Sequence, residues 1–286
     1  FNLDGSIQQG WPQKICTGCL SEFPLLVDDF DGDGDNEIFS LSNIIGQYVK
    51  DEGTPSTIQM ELYGKDGVTE AKSTADMPGL FFVSILNGEH PVAADMDGDG
   101  DIEISFLLSH FASPDDKDYY RRDIYLIDSN MQPLPGWPII SREAGTHLLM
   151  HNLDADPELE LAVFHQPTWN TAYEPNQANV FGYEIDGSYA SGYPKNVGEG
   201  LSFFGVDKAI GYFDAAPEGA YITNVLVHNT ITNEPYNGIT VMDRDGNNLP
   251  GWPKKVGASN QPPALSDVDQ NGLGVIAGFA SNGDLY

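Results

Sequence analysis

The densest set of chemistry-bearing side chains is DDFDGDGDNEIF, residues 28–39, which places five carboxylates and two glycines in the nine positions from Asp29 to Glu37. Carboxylates this close repel one another, so the folded loop needs a cation or bulk water to neutralise its field. The alternating spacing suits a cation. In an Asp-x-Asp-x-Asp-Gly loop the first, third and fifth side chains can turn inward, and the glycine at the sixth position allows the sharp bend. Here those residues are Asp29, Asp31, Asp33 and Gly34. Glu37 and the carbonyl of Asp35 complete an all-oxygen ligand set, which suits Ca2+ better than zinc or copper. A helix-flanked twelve-residue loop would end on a bidentate glutamate, but Ser40 holds that position. The shorter loop lies between the apolar runs FPLLV (23–27) and Ile38–Phe39, so it joins two β-strands.

The loop recurs along the chain. ADMDGDGDIEISF (94–106) carries Asp95, Asp97, Asp99, Gly100, Asp101 and Glu103 at the same offsets. HNLDADPELELAVF (151–164) keeps Asn152, Asp154, Asp156, Glu158 and Glu160, with Pro157 in place of the glycine. GYFDAAPEGAYITNV (211–225) retains only Asp214, and is expected to keep the bend without an ion. LSDVDQNGLGVIAGF (265–279) has Asp267, Asp269, Asn271 and Gly272, but Val275 where the last acid belongs. With Asp29, Asp95, Asn152, Tyr212 and Asp267 as markers, the spacings are 66, 57, 60 and 55 residues. Five units of similar length are therefore expected, carrying roughly two to four structural Ca2+ ions.

A second motif keeps the same period. DGSIQQGWPQ (4–13), NMQPLPGWPI (130–139), DGSYASGYPK (186–195) and DGNNLPGWPK (245–254) each run from a turn to Gly, then Trp or Tyr, then Pro. A tight turn followed by an aromatic that packs between neighbouring units is the expected end of a four-stranded antiparallel blade. The unit after the first loop, ELYGKDGVTEAK (61–72), has the turn without the aromatic motif. Each unit reads strand, acidic loop, strand, variable loop, strand, turn, strand. The fold class predicted is all-β, a single β-propeller domain over residues 1–286, most simply of five blades averaging about 57 residues. Laid head to tail, SNGDLY (281–286) and FNLDG (1–5) resemble RDIYLIDSN (122–130), so closure between the terminal segments is expected.

These repeats resemble the FG-GAP/VCBS class of calcium-loop repeats, found in integrin α-subunit propellers and in many secreted bacterial proteins. The resemblance is strong in the first two loops, fair in the third and fifth, and poor in the fourth. It implies a secreted or cell-surface module, covalently linked to other domains of a larger protein. Propellers of this class commonly have seven blades, which leaves open a chain cut from a longer array.

Composition agrees with that reading. With 43 acidic and 13 basic residues the formal charge is −30, which argues against nucleic acid or an anionic membrane surface as partner. No apolar stretch reaches membrane-spanning length, so no membrane insertion is expected. The 31 glycines and 19 prolines favour short strands and many turns. Cys16 and Cys19, in KICTGCL, have no second C-x-x-C to complete a zinc site, and a small structural disulfide is the expectation for a secreted chain.

Function is expected away from the acidic loops, because a feature repeated around a ring serves each unit alike. Antiparallel strands alternate ends, so the long segments 42–57, 109–122, 165–179 and 228–238 fall on the opposite face. They carry Tyr48, Tyr119, Tyr120, Trp169, Tyr173 and Tyr236 among Asp, Asn and Glu, which suits a sugar ring or a protein segment as partner. The reading that follows is a calcium-stabilised binding or adhesion module. The alternative is a polysaccharide-degrading enzyme, a glycoside hydrolase or lyase, with His90, His147, Asp207 and Glu143 at the mouth of a central channel. No nucleophile motif, phosphate loop or zinc helix accompanies these residues.

Overall fold

The computed structural model describes residues 3–15, 24–44, 56–77, 90–111, 120–141, 144–154, 156–166, 179–196, 201–203, 209–213, 216–228, 235–245, 247–255, 264–266 and 275–277. Among the described residues the regular structure is all β, with nineteen strands and no helix. None of these residues forms a helix long and apolar enough to cross a membrane. The chain divides into two compact units, Phe1–Ile85, His90–Arg142 and Ile185–Gly187 in one, and Leu86–Glu89, Glu143–Glu184 and Ser188–Tyr286 in the other.

The first unit holds two four-stranded antiparallel sheets, each with its strands in chain order. One is β1 (Leu26–Asp28), β2 (Glu37–Ile44), β3 (Ser56–Tyr63) and β4 (Thr69–Met77). The other is β5 (Val92–Ala94), β6 (Glu103–Phe111), β7 (Tyr120–Ile127) and β8 (Ile139–Ser141). Alternation of side chains along each strand builds the core between them: Ile58, Met60 and Leu62 of β3 join Phe39 and Leu41 of β2 and Ile104, Phe106 and Leu108 of β6. Phe106 stacks on Tyr125 with ring centres 5.0 Å apart, and Phe39 tilts against Phe106 at 6.4 Å. The intervening residues of β3 are polar yet also buried. There Glu61 accepts from Gln59 Nε2 at 2.7 Å, Tyr63 Oη at 2.6 Å and Lys72 Nζ at 2.7 Å, so its charge is compensated.

The second unit begins with a sheet of β9 (Ala144–His151), β10 (Glu160–Gln166), β11 (Asn179–Tyr183) and β12 (Lys195–Asn196), again in consecutive order. Next come β13 (Leu201–Phe203), β14 (Ala209–Phe213), β15 (Ala216–His228), β16 (Pro235–Met242) and β17 (Lys254–Lys255), followed by the pair β18 (Ala264–Ser266) and β19 (Val275–Ala277). Leu153, Ala162, Phe164, Val180, Ala190, Tyr193 and Met242 form its core cluster.

The repeat is visible in strand register. Asp28 pairs with Glu37, Ala94 with Glu103, His151 with Glu160 and Ser266 with Val275, so four loops of equal length are closed by the same first pair. The fourth unit departs from this. Phe213 pairs with Ala216, leaving only two residues between β14 and β15, and the marker Tyr212 lies within β14. The other four pairings leave eight residues between their two strands.

The turn-and-aromatic motif also acts as a repeated connector. Trp11 Nε1 donates to the Lys65 carbonyl at 3.1 Å, Trp137 Nε1 to the Ile185 carbonyl at 2.8 Å and Tyr193 Oη to the Arg244 carbonyl at 3.4 Å. In each case the acceptor is the second residue after a strand, β3, β11 or β16. Trp137 and Tyr193 are buried, as an anchoring aromatic requires.

Candidate metal centres

Loops one and two share a succession of side-chain bonds to their own backbone, and differ in that Asp95 Oδ1 also accepts the Gly98 and Asp99 N–H groups while Asp29 Oδ1 has no hydrogen-bond partner among the described residues. Asp29 Oδ2 accepts the Gly34 N–H at 2.9 Å, and Asp95 Oδ2 accepts the Gly100 N–H at 3.1 Å. Asp31 and Asp97 accept from the amides of Asp33 and Asp99, and those two in turn accept from Asp35 and Asp101. This succession of aspartate turns needs a left-handed residue to close, and Gly34 and Gly100 supply it with φ of 95° and 102°. The result gathers charge. One carboxylate oxygen from each of Asp29, Asp31 and Asp33 lies within 4.8 Å of the others, and likewise for Asp95, Asp97 and Asp99.

The last acid of each loop is buried under it. Glu37 Oε2 accepts the Phe30 N–H at 3.0 Å, Glu103 Oε2 the Met96 N–H at 2.8 Å, and Glu160 Oε2 the Leu153 N–H. Glu37 and Glu103 therefore brace the loop from below through one oxygen, and the tight oxygen groups of loops one and two consist of the three aspartates. Burial raises the Glu37 carboxyl above the usual range, against the Phe30 N–H and with added push from Asp31, Glu70 and Asp33. Burial likewise lifts Glu103 to about 7, with Asp97, Asp99 and Asp95 adding to it while the Met96 N–H opposes. Loops one and two also touch: the Ile102 N–H donates to the Phe30 carbonyl at 3.1 Å.

Loop three solves the same problem differently. Pro157 sits where Gly34 and Gly100 sit, and proline has no N–H for a carboxylate at the first position to accept. The first position is Asn152, whose amide donates to the Asp156 carbonyl instead. The carboxylate group here is Asp154, Asp156, Glu160 and Glu184, again with one oxygen of each within 4.8 Å of the rest. Glu158 is exposed. Arg244 Nη1 donates to the Asp154 carbonyl at 2.6 Å, and the Ser191 N–H to Asp154 Oδ2 at 3.1 Å. Burial raises Glu160 to about 7, with Asp154, Glu184 and Asp156 adding and the Leu153 N–H opposing.

These groups suit a hard divalent cation. Every side-chain donor is a carboxylate oxygen, the spacing is short, and two buried oxygens, Asp29 Oδ1 and Glu160 Oε1, have no hydrogen-bond partner among the described residues. A bound cation would satisfy both oxygens and offset the repulsion among the gathered carboxylates.

Glu184 and Glu70 were not among the sequence candidates. Glu70, on β4, reaches over loop one into space that only a glycine leaves: a Cβ on Gly64 would lie 2.2 Å from Glu70 Oε1. Burial raises its carboxyl, and Asp31 and Asp33 raise it further. The signal for Glu184 was a recurrent acid just after the third strand, shared with Asp128 and Asp243, which only strand pairing makes meaningful.

The other candidate residues are dispersed. His90 is exposed ahead of β5, and His147 is buried on β9 opposite Phe164. Glu143 and Asp207 lie outside the described residues, as do Cys16, Cys19, Tyr48, Tyr119, Trp169, Tyr173, Asp267, Asp269 and Asn271. Tyr120 and Tyr236 are placed by backbone only, Tyr120 opposite Phe111 and Tyr236 opposite Val227.

No family model matches the chain, and no curated protein matches it. Among solved structures it is similar to the crystal structure of rhamnogalacturonan lyase YesW, with a TM-score of 0.54 and 12% identity over 91% of this chain and 47% of that one. The exotype rhamnogalacturonan lyase YesX aligns with a TM-score of 0.48 and 13% identity, covering 92% of this chain and 54% of that one. The V. cholerae biofilm matrix protein Bap1 aligns with a TM-score of 0.39 and 15% identity, covering 91% and 44%. The chain thus spans about half the length of the structures it matches. At this identity the likeness to YesW is one of fold, and with the repeated register it defines an all-β protein of recurring antiparallel sheets carrying carboxylate loops.

Proposed function

We propose that the chain is a β-propeller of five repeat units, stabilised by Ca2+ in its acidic loops, that acts outside the cell as a binding module for a glycan or a protein segment. The observation that carries the calcium reading is the convergence of carboxylates in three loops closed by the same strand pair. Three like-built groups spread over separate sheets suit a structural role, since each serves its own hairpin. The ligand surface belongs at the far ends of β2, β6, β10 and β15, from which the aromatic-rich long segments leave. Secretion and attachment to further domains are part of the same proposal, supported by the likeness of the loops to FG-GAP/VCBS repeats.

A glycan array run on Ca2+-loaded protein tests the binding role. Retention of a glycan class, weakened by Tyr236→Ala and untouched by Asp97→Asn, is the expected result. Loss of binding in Asp97→Asn alone, with Tyr236→Ala unaffected, would put the ligand on the wrong face and refute the assignment.

The fold likeness to YesW supports a second reading, a polysaccharide lyase. Incubation with rhamnogalacturonan, followed by ultraviolet absorbance of an unsaturated product, separates the two. A binding module releases none, whereas turnover abolished by His147→Ala would establish the enzyme.

A further inference from the structure

Loop three differs from loops one and two in the origin of its charge. Each of the first two loops brings four acids of its own at the alternating positions and the end, Asp29, Asp31, Asp33 and Glu37 in one and Asp95, Asp97, Asp99 and Glu103 in the other. Loop three has an amide at the first position, and that amide is turned to the Asp156 carbonyl. Its own acids in the converging group number three, and Glu184 makes the fourth.

Glu184 is brought there by strand pairing. Leu161 pairs with Tyr183, so the residue after β11 stands across from Glu160, the first residue of β10. Two glutamates facing each other at the end of an antiparallel pair repel and destabilise it, unless a cation lies between them. Glu160 is fully buried, spends Oε2 on the Leu153 N–H, and leaves Oε1 buried without a hydrogen-bond partner inside the carboxylate group. A buried anionic oxygen with no donor is costly, and a metal ion is the partner that four surrounding carboxylates can share. The equivalent positions in the first unit do not offer this ligand. Gly64 has no side chain, and Asp128 uses Oδ1 to accept the N–H groups of Asn130 and Gln132 within its own turn.

We infer that loop three holds a hard divalent cation through two separate elements, with Glu184 as a direct ligand, so that the ion ties the β9–β10 loop to the β11–β12 hairpin. The inference rests on the reading of the acidic loops as cation sites and adds a ligand from outside the loop. The Ser191 N–H bond to Asp154 Oδ2 already joins the same two elements, so the ion would reinforce an existing link. Oxygen-only ligation by flexible carboxylates selects Ca2+ over a smaller, rigidly octahedral ion.

The test is a calorimetric Ca2+ titration of the full chain stripped of divalent ions, comparing wild type with Glu184→Gln, together with melting curves of both proteins with and without Ca2+. Glu184→Gln is expected to weaken one class of site at least about tenfold and leave the others unchanged. It is also expected to melt higher than wild type when stripped, because a like charge is gone, and lower than wild type with Ca2+. A purely structural glutamate would not reverse sign between the two conditions. Wild-type affinities at every site in Glu184→Gln would overturn the role of Glu184 while leaving the loops as cation sites. Failure of wild type to bind Ca2+ at all would overturn both.

Discussion

Met96 and Glu103 are joined across loop two by a 2.8 Å hydrogen bond from the Met96 N–H to the buried Glu103 carboxylate. Phe30 with Glu37 and Leu153 with Glu160 repeat it. The last acid of each loop thus holds the backbone through one oxygen, and in loop three the same glutamate also joins the converging carboxylates. Removing the side chain should leave a buried amide without an acceptor. Glu103→Ala is expected to cost about 2–4 kcal/mol in urea unfolding of the stripped protein, and Glu103→Gln, which keeps an oxygen for Met96, clearly less. Equal losses would show that the bond contributes nothing.

Removal of divalent ions should lower the melting temperature by several degrees, and Ca2+ should restore it. Ligands that bind only the folded state stabilise it by mass action, and the carboxylates within each of the three groups repel one another without the ion. An identical melting temperature in chelator and in Ca2+ would exclude structural ions.

The pH dependence should change direction with calcium. Glu103 and Glu160 are lifted to about 7 by burial and neighbouring acids, so the stripped folded chain holds protons that the unfolded chain releases at lower pH. Their contribution is fully present in acid and is lost as pH rises through about 7. Stripped protein should therefore unfold more readily at about pH 8 than at about pH 5. With saturating Ca2+ the carboxylates are held ionised, so stability should fall toward acid instead. Denaturant melts at the two pH values, with and without Ca2+, check the crossing.

Asn152 and Pro157 form a matched pair. Asn152→Asp removes the donor to the Asp156 carbonyl and adds a charge that Pro157 cannot meet with an N–H, so a loss of about 1–2 kcal/mol is expected in the stripped protein. The double variant Asn152→Asp/Pro157→Gly recreates the Asp29–Gly34 arrangement and should recover part of the loss. No recovery would show that loop three is not built on that bond.

Asp97→Ala should depress the Ca2+-loaded melting temperature more than Asp214→Ala. Asp97 belongs to a converging carboxylate group, whereas Asp214 is the one acid that the fourth copy retains at the alternating positions, and Phe213 beside it pairs with Ala216. Equal effects would contradict that ranking of the loops.

Trp137→Phe should cost about 1–2 kcal/mol, because the buried ring stays while the Ile185 carbonyl loses its 2.8 Å donor. Thermal melts suffice, and an unchanged midpoint would reduce the motif to ring packing.

The repeat was legible in the chain because its signals are local. A strand–loop–strand with acids at alternate positions is written within about fifteen residues, and so is a turn that ends on Gly-Trp-Pro. From them followed the all-β class and the loops that gather carboxylates, while the fourth copy, whose Asp214 lies outside the described residues, departs in register with Phe213 paired to Ala216. The ligand-surface candidates carried no such periodicity, and Tyr48, Trp169 and Tyr173 stay outside the described residues.

What the sequence alone determined is how loops one and two fold on themselves, since Asp-x-Asp-x-Asp-Gly closes through bonds to its own backbone and a left-handed glycine. What only the tertiary structure decided is which distant acids come to stand beside each loop. Glu70 enters over Gly64 because that position lacks a side chain, and Glu184 meets Glu160 because Tyr183 pairs with Leu161. The physical reason is register: a strand pairing brings residues far apart in the chain to one point, and no local pattern of charge encodes which of them will meet.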